Sequence, residues 1–160
     1  MSGQLPLQGL RVLDLASFIA GPVASTVMGD YGAEVIKIEP PGEGDPQRKL
    51  GQAHSIPQHP VNFCWHMTNR NKRSVVLDLK NPLGREAFDR LVATADVMVV
   101  NFPLKVRERL RMRYADVKPA NPRLIYASMT GYGEQGPDAE QPGFDSTAFF
   151  ARSGLLDALT

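Results

Sequence analysis

Strand-like and helix-like segments alternate along this chain, and the first forty residues contain the clearest unit. Residues 10–15 form a short apolar run typical of a buried strand, and residues 34–39 form a second one. Between them, residues 23–31 suit a helix that Gly32 ends. Two strands joined by such a helix lie parallel, because a parallel pair needs a crossover connection. The unit therefore predicts a parallel sheet.

The same alternation continues to the end of the chain. Further strands are predicted at residues 74–79, 96–100 and 123–128. Helices are predicted from the Asn81-Pro82 start signal to about residue 94, at residues 104–112 and 114–118, and from Phe144-Asp145 to Leu159. Residues 46–60 are predicted to form a long surface loop. The pattern predicts an α/β fold over residues 1–160: one Rossmann-like, doubly wound, mostly parallel sheet with helices on both faces.

Composition excludes several classes of function. The formal net charge is +1, from 18 Lys and Arg against 17 Asp and Glu, so no global field favours nucleic acid or an anionic membrane. The uncharged, largely apolar run at residues 15–29 is too short to cross a bilayer, and Asp14 interrupts the first apolar segment. Cys64 is the only cysteine, which excludes an intramolecular disulfide and suits a reducing compartment. We expect a cytoplasmic protein with no nucleic acid or membrane partner.

Common ligand motifs are missing. Glu39 ends the second strand where a nicotinamide-binding protein places its ribose-binding acid, but only Gly21 follows the first strand, where that fingerprint needs three glycines. The chain contains neither a Gly-Lys-Ser/Thr triplet nor a Gly-x-Ser-x-Gly elbow. We expect no metal site, because the three histidines share no helical face: His54, His59 and His66.

Two basic clusters remain as anion sites, at residues 70–73 and 105–113. In the second, basic residues recur at every other position, so a helix would turn them to different faces. One predicted face carries Lys105, Arg109 and Arg113, and the other carries Arg107 and Arg111. Ligands of doubly wound sheets bind at the carboxyl ends of the strands, so one of these faces is a candidate phosphate site.

Several separated blocks resemble one known family. They are residues 13–15 with 20–22, residues 29–39, residues 69–74, residues 96–97 with 101–102, and residues 130–133. In order and spacing they closely resemble the family III CoA-transferases over about residues 5–156. The resemblance implies transfer of CoA from a thioester to a carboxylic acid through covalent intermediates on an aspartate.

The resemblance also implies ligands and partners. Acyl-CoA and a carboxylic acid would be the substrates. Coenzyme A would bind and dissociate as a substrate, and no cofactor would be tightly bound. The chain would act as a homodimer or with a carboxyl-terminal portion. Carried over residue by residue, the CoA contacts would be Phe18, Ile19, Ala20, Leu77, Asn101, Phe102, Arg109 and Phe144.

Two positions depart from the family pattern. Pro40 and Pro41 stand where some relatives carry a basic residue, so phosphate binding is expected to shift to Arg48, Arg70 or Lys72. Phe144 stands where racemases of the same superfamily carry a histidine, and proton exchange needs a base of that type. Phe144 therefore favours transfer over racemisation.

The family's nucleophilic aspartate lies further along than the Gly143-Phe144-Asp145 block. Asp145 is the candidate that this chain itself offers, but its position better suits a helix N-cap beside the acyl pocket. We therefore expect no catalytic residue in residues 1–160 and a fold that is incomplete relative to the family. Two alternatives stay open: a non-catalytic CoA-binding or assembly module, and a relative of the 2-methylacyl-CoA racemases.

Overall fold

Five parallel strands form one sheet in the computed structural model, which describes residues 3–159. Within those residues the spatial order is β3-β2-β1-β4-β5, and every neighbouring pair is parallel. The predicted parallel sheet is therefore confirmed. The strands are β1 (Arg11–Asp14), β2 (Glu34–Glu39), β3 (Lys72–Val76), β4 (Val97–Val100) and β5 (Ile125–Ser128).

Helices connect the strands. The described α-helices are α1 (Ala20–Asp30), α2 (Gln47–Leu50), α3 (Phe63–Asn69), α4 (Pro82–Val92), α5 (Leu104–Arg109), α6 (Tyr114–Val117) and α7 (Leu155–Ala158). A π-helical segment, Asp145–Ala151, precedes α7. Asn81 caps α4 by accepting from the Leu83 amide at 2.9 Å, and Pro82 occupies the first turn as predicted.

Alternate residues of the central strands pack on opposite faces of the sheet. Leu13 and Met98 belong to the larger core, with Phe88 of α4 and Val117 of α6. Val12, Val35 and Val99 belong to a second core on the other face, with partly buried Met28 of α1 packed against it. Strands that are buried on both faces appear as continuous apolar runs, which is why β1 and β4 were predictable. The doubly wound arrangement is confirmed.

Several predicted elements differ from the structure. The third strand begins at Lys72 and ends at Val76, earlier than the predicted residues 74–79. The predicted loop at residues 46–60 contains α2, and α3 follows it with Asn62 accepting from the Trp65 amide at 3.1 Å. The final helical stretch is divided between the π-helical segment and α7, with Gly154 in a left-handed conformation between them.

The strand order places β1 beside β4 in the middle of the sheet, so their following loops diverge there. Such a switch point, at the carboxyl ends of the strands, is where doubly wound sheets bind ligands. In the described part of the chain, no helix combines the length and apolar character that a membrane crossing requires.

Candidate coenzyme A site

The turn after β1 is held by the turn after β4. The Asn101 side chain accepts from the Ser17 amide at 2.9 Å and donates to the Ser17 carbonyl at 2.9 Å. Helix α1 then starts close to the strand end, since a Cβ on Gly21 would lie 2.2 Å from the Cβ of Ala16. A glycine is needed there because any side chain would push the helix away from the sheet.

Phe18 occupies the tip of this turn in a left-handed conformation, with φ of +64°. Its ring meets the ring of Phe144 edge to face, with centroids 5.8 Å apart and planes at 87°. Ile19 and Ala20 follow at the start of α1, and both are exposed. The structure thus brings Phe18 and Phe144, two of the predicted CoA contacts, together from distant parts of the chain.

A first cavity of about 280 Å³ lies beside this aromatic pair. It is bounded by the loops after β4 and β5 and by the start of the π-helical segment. Four of the predicted contact residues line it: Ala20, Asn101, Phe102 and Phe144. Small pockets with a few polar groups among apolar walls are typical of ligand sites.

A second cavity of about 230 Å³ adjoins the first, because Phe102 lines both. The predicted contact Leu77 lies here, together with Leu15 and Ile38 at the ends of β1 and β2. Leu77 directly follows β3 and is half-buried, and its side chain lines the cavity. The walls are mostly apolar.

A third, wider groove of about 870 Å³ continues from the second cavity, since Leu79 and Lys80 line both. Two acidic side chains, Glu86 and Asp89, line it, and the five basic side chains that line it are Lys80, Arg85, Arg90, Arg109 and Arg111. Such an excess of positive charge in a groove attracts anions.

Arg109, the predicted phosphate contact, lies in this basic groove and is exposed. Its guanidinium makes no hydrogen bond or ion pair with any of residues 3–159. Its neighbours are engaged: Arg113 pairs with Asp116 at 3.0 Å and with Glu108 at 2.9 Å. Arg109 is therefore available for a ligand in a way that Arg113 is not.

The predicted faces of the basic helix are wrong. Helix α5 ends at Arg109, and Arg111 adopts a left-handed conformation, so Arg109 and Arg111 both reach the groove while Arg113 lies outside it. Arg107 points inward with 1% of its side chain exposed. It donates to the Phe102 carbonyl at 2.5 Å, to Ser128 at 2.5 Å and to Glu134 at 2.7 Å.

Glu39 is occupied by internal partners. Arg48 binds both of its oxygens, at 2.6 and 2.7 Å, and Ser74 donates at 2.6 Å. Burial raises the pKa of the Glu39 carboxyl, but hydrogen bonds from Arg48, Ser74 and the Asp45 amide outweigh it and lower the pKa to about 2. A carboxylate so fully bonded has no capacity left for a ribose, which agrees with the missing dinucleotide fingerprint.

The three expected substitutes for the basic residue at Pro40 are already engaged. Arg48 pairs with Glu39 and stacks on the Trp65 ring at 3.7 Å, and Arg70 pairs with Asp30 at 2.5 Å. Lys72 is buried, and its ammonium bonds Asp14 at 2.7 Å. The expected shift of phosphate binding to these residues is therefore wrong for Lys72 and has no support at the other two.

The lowered pKa of Glu39 predicts that the free energy of unfolding decreases in acid. Its pKa is lower folded than unfolded, so the ion pair contributes fully above about pH 4.5. The contribution is then lost as pH falls toward 2. Glu39→Gln should lower the free energy of unfolding at pH 7 and flatten its decline between about pH 4.5 and 2. Urea titrations at several pH values measure this, and parallel curves for the two proteins would contradict it.

Asp145 also lies at the first cavity, but it does not occupy the predicted N-cap position. It is the first residue of the π-helical segment, whose N-cap is Phe144. Its carboxylate is exposed and accepts from the Ser146 amide at 2.8 Å. Among residues 3–159, no three His, Cys, Asp or Glu side chains converge as a metal site would require.

Comparison with known proteins agrees with this geometry. The model of the family described as "CoA-transferase family III" matches residues 7–160. The chain belongs to CoA-transferase family III. Its resemblance to that family, inferred from separated sequence blocks, is thereby confirmed.

Relatives of this family III chain include proteins named as CoA-transferases. It is 41% identical over 152 residues to cinnamoyl-CoA:phenyllactate CoA-transferase of Clostridium sporogenes, covering 94% of this chain and 37% of that protein. It is 40% identical over 152 residues to the succinyl-CoA–L-malate CoA-transferase alpha subunit of Chloroflexus aurantiacus, covering 95% and 35%. The chain thus spans little more than a third of the length of these relatives.

A solved structure supports the family III fold. A CAIB/BAIF family protein from Brucella suis superposes with a TM-score of 0.84 and is 39% identical, covering 97% of this chain and 41% of that one. The Rossmann-like doubly wound fold is therefore shown both by the sheet and by a relative.

Two structural features beside the candidate site were missed from the sequence. Arg107 was assigned to a helix surface, although its guanidinium holds the Phe102 carbonyl at the site. Asp45 was not singled out from the sequence, although its carboxylate accepts from the Phe18 amide at 3.2 Å. Buried arginines are rare, so a basic residue in a helix gives no signal of burial unless its partners are known.

Proposed function

We propose that residues 1–160 form the amino-terminal, CoA-binding portion of an acyl-CoA:carboxylate CoA-transferase. The observation that carries the proposal is the series of three adjoining depressions. A basic groove at Arg109, an apolar cavity at Leu77 and a cavity at Phe144 follow one another, joined by Lys80 and Phe102. Coenzyme A has the same order of parts: a phosphorylated nucleotide, a slender pantetheine arm and a thioester.

Each depression suits the part of the ligand assigned to it. The unpaired guanidinium of Arg109 can donate charge-assisted hydrogen bonds to a phosphate. Leu77 and Phe102 provide apolar surface for the pantetheine arm. Phe18 and Phe144 close the remaining end, where the thioester would lie. Six of the eight proposed CoA contacts thus line the three depressions. The other two, Phe18 and Ile19, lie on the turn beside the first cavity.

The proposed reaction uses an aspartate that is not in this chain. Its carboxylate attacks the thioester carbonyl, which expels CoA thiolate and forms a mixed anhydride. The thiolate attacks the aspartyl carbonyl, which releases the donor acid and leaves aspartyl-CoA. The acceptor carboxylate then forms a second anhydride and again frees CoA thiolate. Attack of that thiolate on the acyl carbonyl yields the new acyl-CoA and restores the aspartate.

The relatives' greater length supports placing the nucleophile elsewhere. A carboxyl-terminal portion would supply it to a chain that we also propose to pair as a homodimer, since the exposed Asp145 carboxylate has no hydrogen-bond partner among residues 3–159 beyond the adjacent amide. We also propose a cytoplasmic location and no tightly bound cofactor. The racemase alternative lacks support, because Phe144 carries no proton-accepting group at the first cavity.

Calorimetric titration of the 160-residue chain tests the binding proposal. Coenzyme A should bind more tightly than dephospho-CoA, and pantetheine should bind most weakly, because each step removes phosphate charge from the basic groove. Equal affinity for all three ligands would contradict the assignment of that groove.

An assay with labelled CoA tests the catalytic part. We expect no exchange from the chain alone and exchange once a carboxyl-terminal portion from a relative is added. Exchange by the chain alone would contradict the proposal that the nucleophilic aspartate lies outside this chain. Loss of deuterium from a 2-methylacyl-CoA without an acceptor acid would instead support the racemase alternative.

A further inference from the structure

Side chains from other parts of the fold hold the turn between β1 and α1. The Ala16 amide donates to Asp14 at 3.0 Å, and the Ala16 carbonyl accepts from Lys37 at 2.8 Å. Asn101 binds both polar groups of Ser17. The Phe18 amide donates to Asp45 at 3.2 Å. Every backbone polar group from the Ala16 amide to the Phe18 amide is therefore fixed, which is unusual for an exposed turn.

Asp45 is buried and held on several sides. One carboxylate oxygen lies 2.8 Å from the Lys37 ammonium, and the other accepts from the amides of Phe18 and Gln47. Its own amide donates to Glu39 at 3.0 Å. Asp45 is 2% exposed and lines none of the three depressions, so it does not itself meet a ligand there.

The residue that Asp45 restrains is strained. A left-handed conformation brings the Cβ of a bulky residue close to its own carbonyl oxygen, and such a conformation persists only where the surroundings enforce it. In this conformation the Phe18 ring lies edge-on to Phe144, beside the first cavity. Without the restraint, the turn would relax and move the ring.

We propose that Asp45 is a positioning residue for coenzyme A, holding Phe18 in its left-handed conformation from an anchor on Lys37. The role rests on the proposed function, because it concerns the same site. It acts through Phe18, whose ring meets the ligand, and not through contact between Asp45 and the ligand.

A double-mutant cycle tests the role. Asp45→Ala should weaken coenzyme A binding about tenfold, which corresponds to about 1.4 kcal/mol. In a Phe18→Ala background the same change should alter the dissociation constant less than twofold, because no ring remains to be positioned. Calorimetry on the unchanged chain, the two single variants and the double variant gives the coupling free energy between Asp45 and Phe18 in coenzyme A binding. A tenfold effect in both backgrounds would overturn the role.

Asp96→Ala provides a matched control. Asp96 likewise accepts from a backbone amide, that of Arg11 at 2.8 Å, but at the amino-terminal ends of β1 and β4, away from the site. Its replacement should lower the melting temperature and leave coenzyme A affinity unchanged. Weakening by Asp96→Ala equal to that by Asp45→Ala would show that lost stability alone explains the effect, and would overturn the role.

Asp45→Asn extends the test if Asp45→Ala does not fold. The amide keeps an acceptor for Phe18 but loses the ion pair with Lys37, so binding should weaken severalfold with Phe18 present and stay unchanged with Phe18→Ala. Equal effects in the two backgrounds would overturn the role. If the unchanged chain binds no coenzyme A, the proposed function fails and this role fails with it; binding that survives both Asp45 variants overturns only the role of Asp45.

Discussion

Asp14→Ala is expected to cost about 3–5 kcal/mol of the free energy of unfolding, the usual effect of breaking a buried ion pair. The Asp14 carboxylate is fully buried at the end of β1 and accepts from Lys72 at 2.7 Å and from Ser25 at 2.7 Å. Lys37 lies 3.8 Å away and is equally buried. The substitution would leave two ammonium groups inside the fold with less negative charge to balance them.

Urea unfolding followed by circular dichroism measures this loss. Asp30→Ala is the control, because Asp30 forms its ion pair with Arg70 at the surface, where solvent screens the charges. Asp30→Ala should leave the unfolding midpoint almost unchanged. Equal losses for the two variants would contradict the importance of the buried cluster.

Arg109→Ala is expected to weaken coenzyme A binding about ten- to a hundredfold, since a hydrogen bond to a charged group contributes about 1.5–3 kcal/mol. The guanidinium lies in the basic groove without a partner among residues 3–159, so binding a phosphate would break no existing ion pair. The effect should shrink as salt rises, because the groove is exposed.

Arg113→Ala is the matched control for Arg109→Ala. Arg113 is close in sequence and exposed, but it lies outside the groove and pairs with Asp116. Its replacement should not change coenzyme A affinity. Calorimetry with pantetheine adds a second check, because a ligand without phosphates should bind both variants equally. Weaker pantetheine binding by Arg109→Ala would contradict a phosphate contact.

The central strands could be predicted because burial on both faces requires apolar residues throughout. β2 has its predicted bounds, and β4 differs by one residue. β3 was displaced because its first residues, Lys72 and Arg73, do not look like strand residues. The Lys72 side chain is buried in an ion pair with Asp14. Asp14 lies 58 positions away in the sequence, so no local pattern reveals this partner.

Only those site residues that the family resemblance identifies could be predicted from the sequence. Asn101, Phe102 and Phe144 do meet at one cavity, as the carboxyl ends of parallel strands require. Arg107 and Asp45 were missed because their importance depends on burial and on distant backbone groups. Helix α3 was missed because seven residues are too few to show a helical period.

The paired hydrogen bonds between Ser17 and Asn101 join two stretches of chain that are 84 positions apart. They join the first and second halves of the sheet beside the β1–β4 pairing, so closing the site accompanies a long-range contact that costs loop-closure entropy. A ligand that bridges these turns binds the docked state alone. Raising its concentration should therefore stabilise the docked halves by RT ln(1 + L/Kd), where L is the free ligand concentration and Kd its dissociation constant.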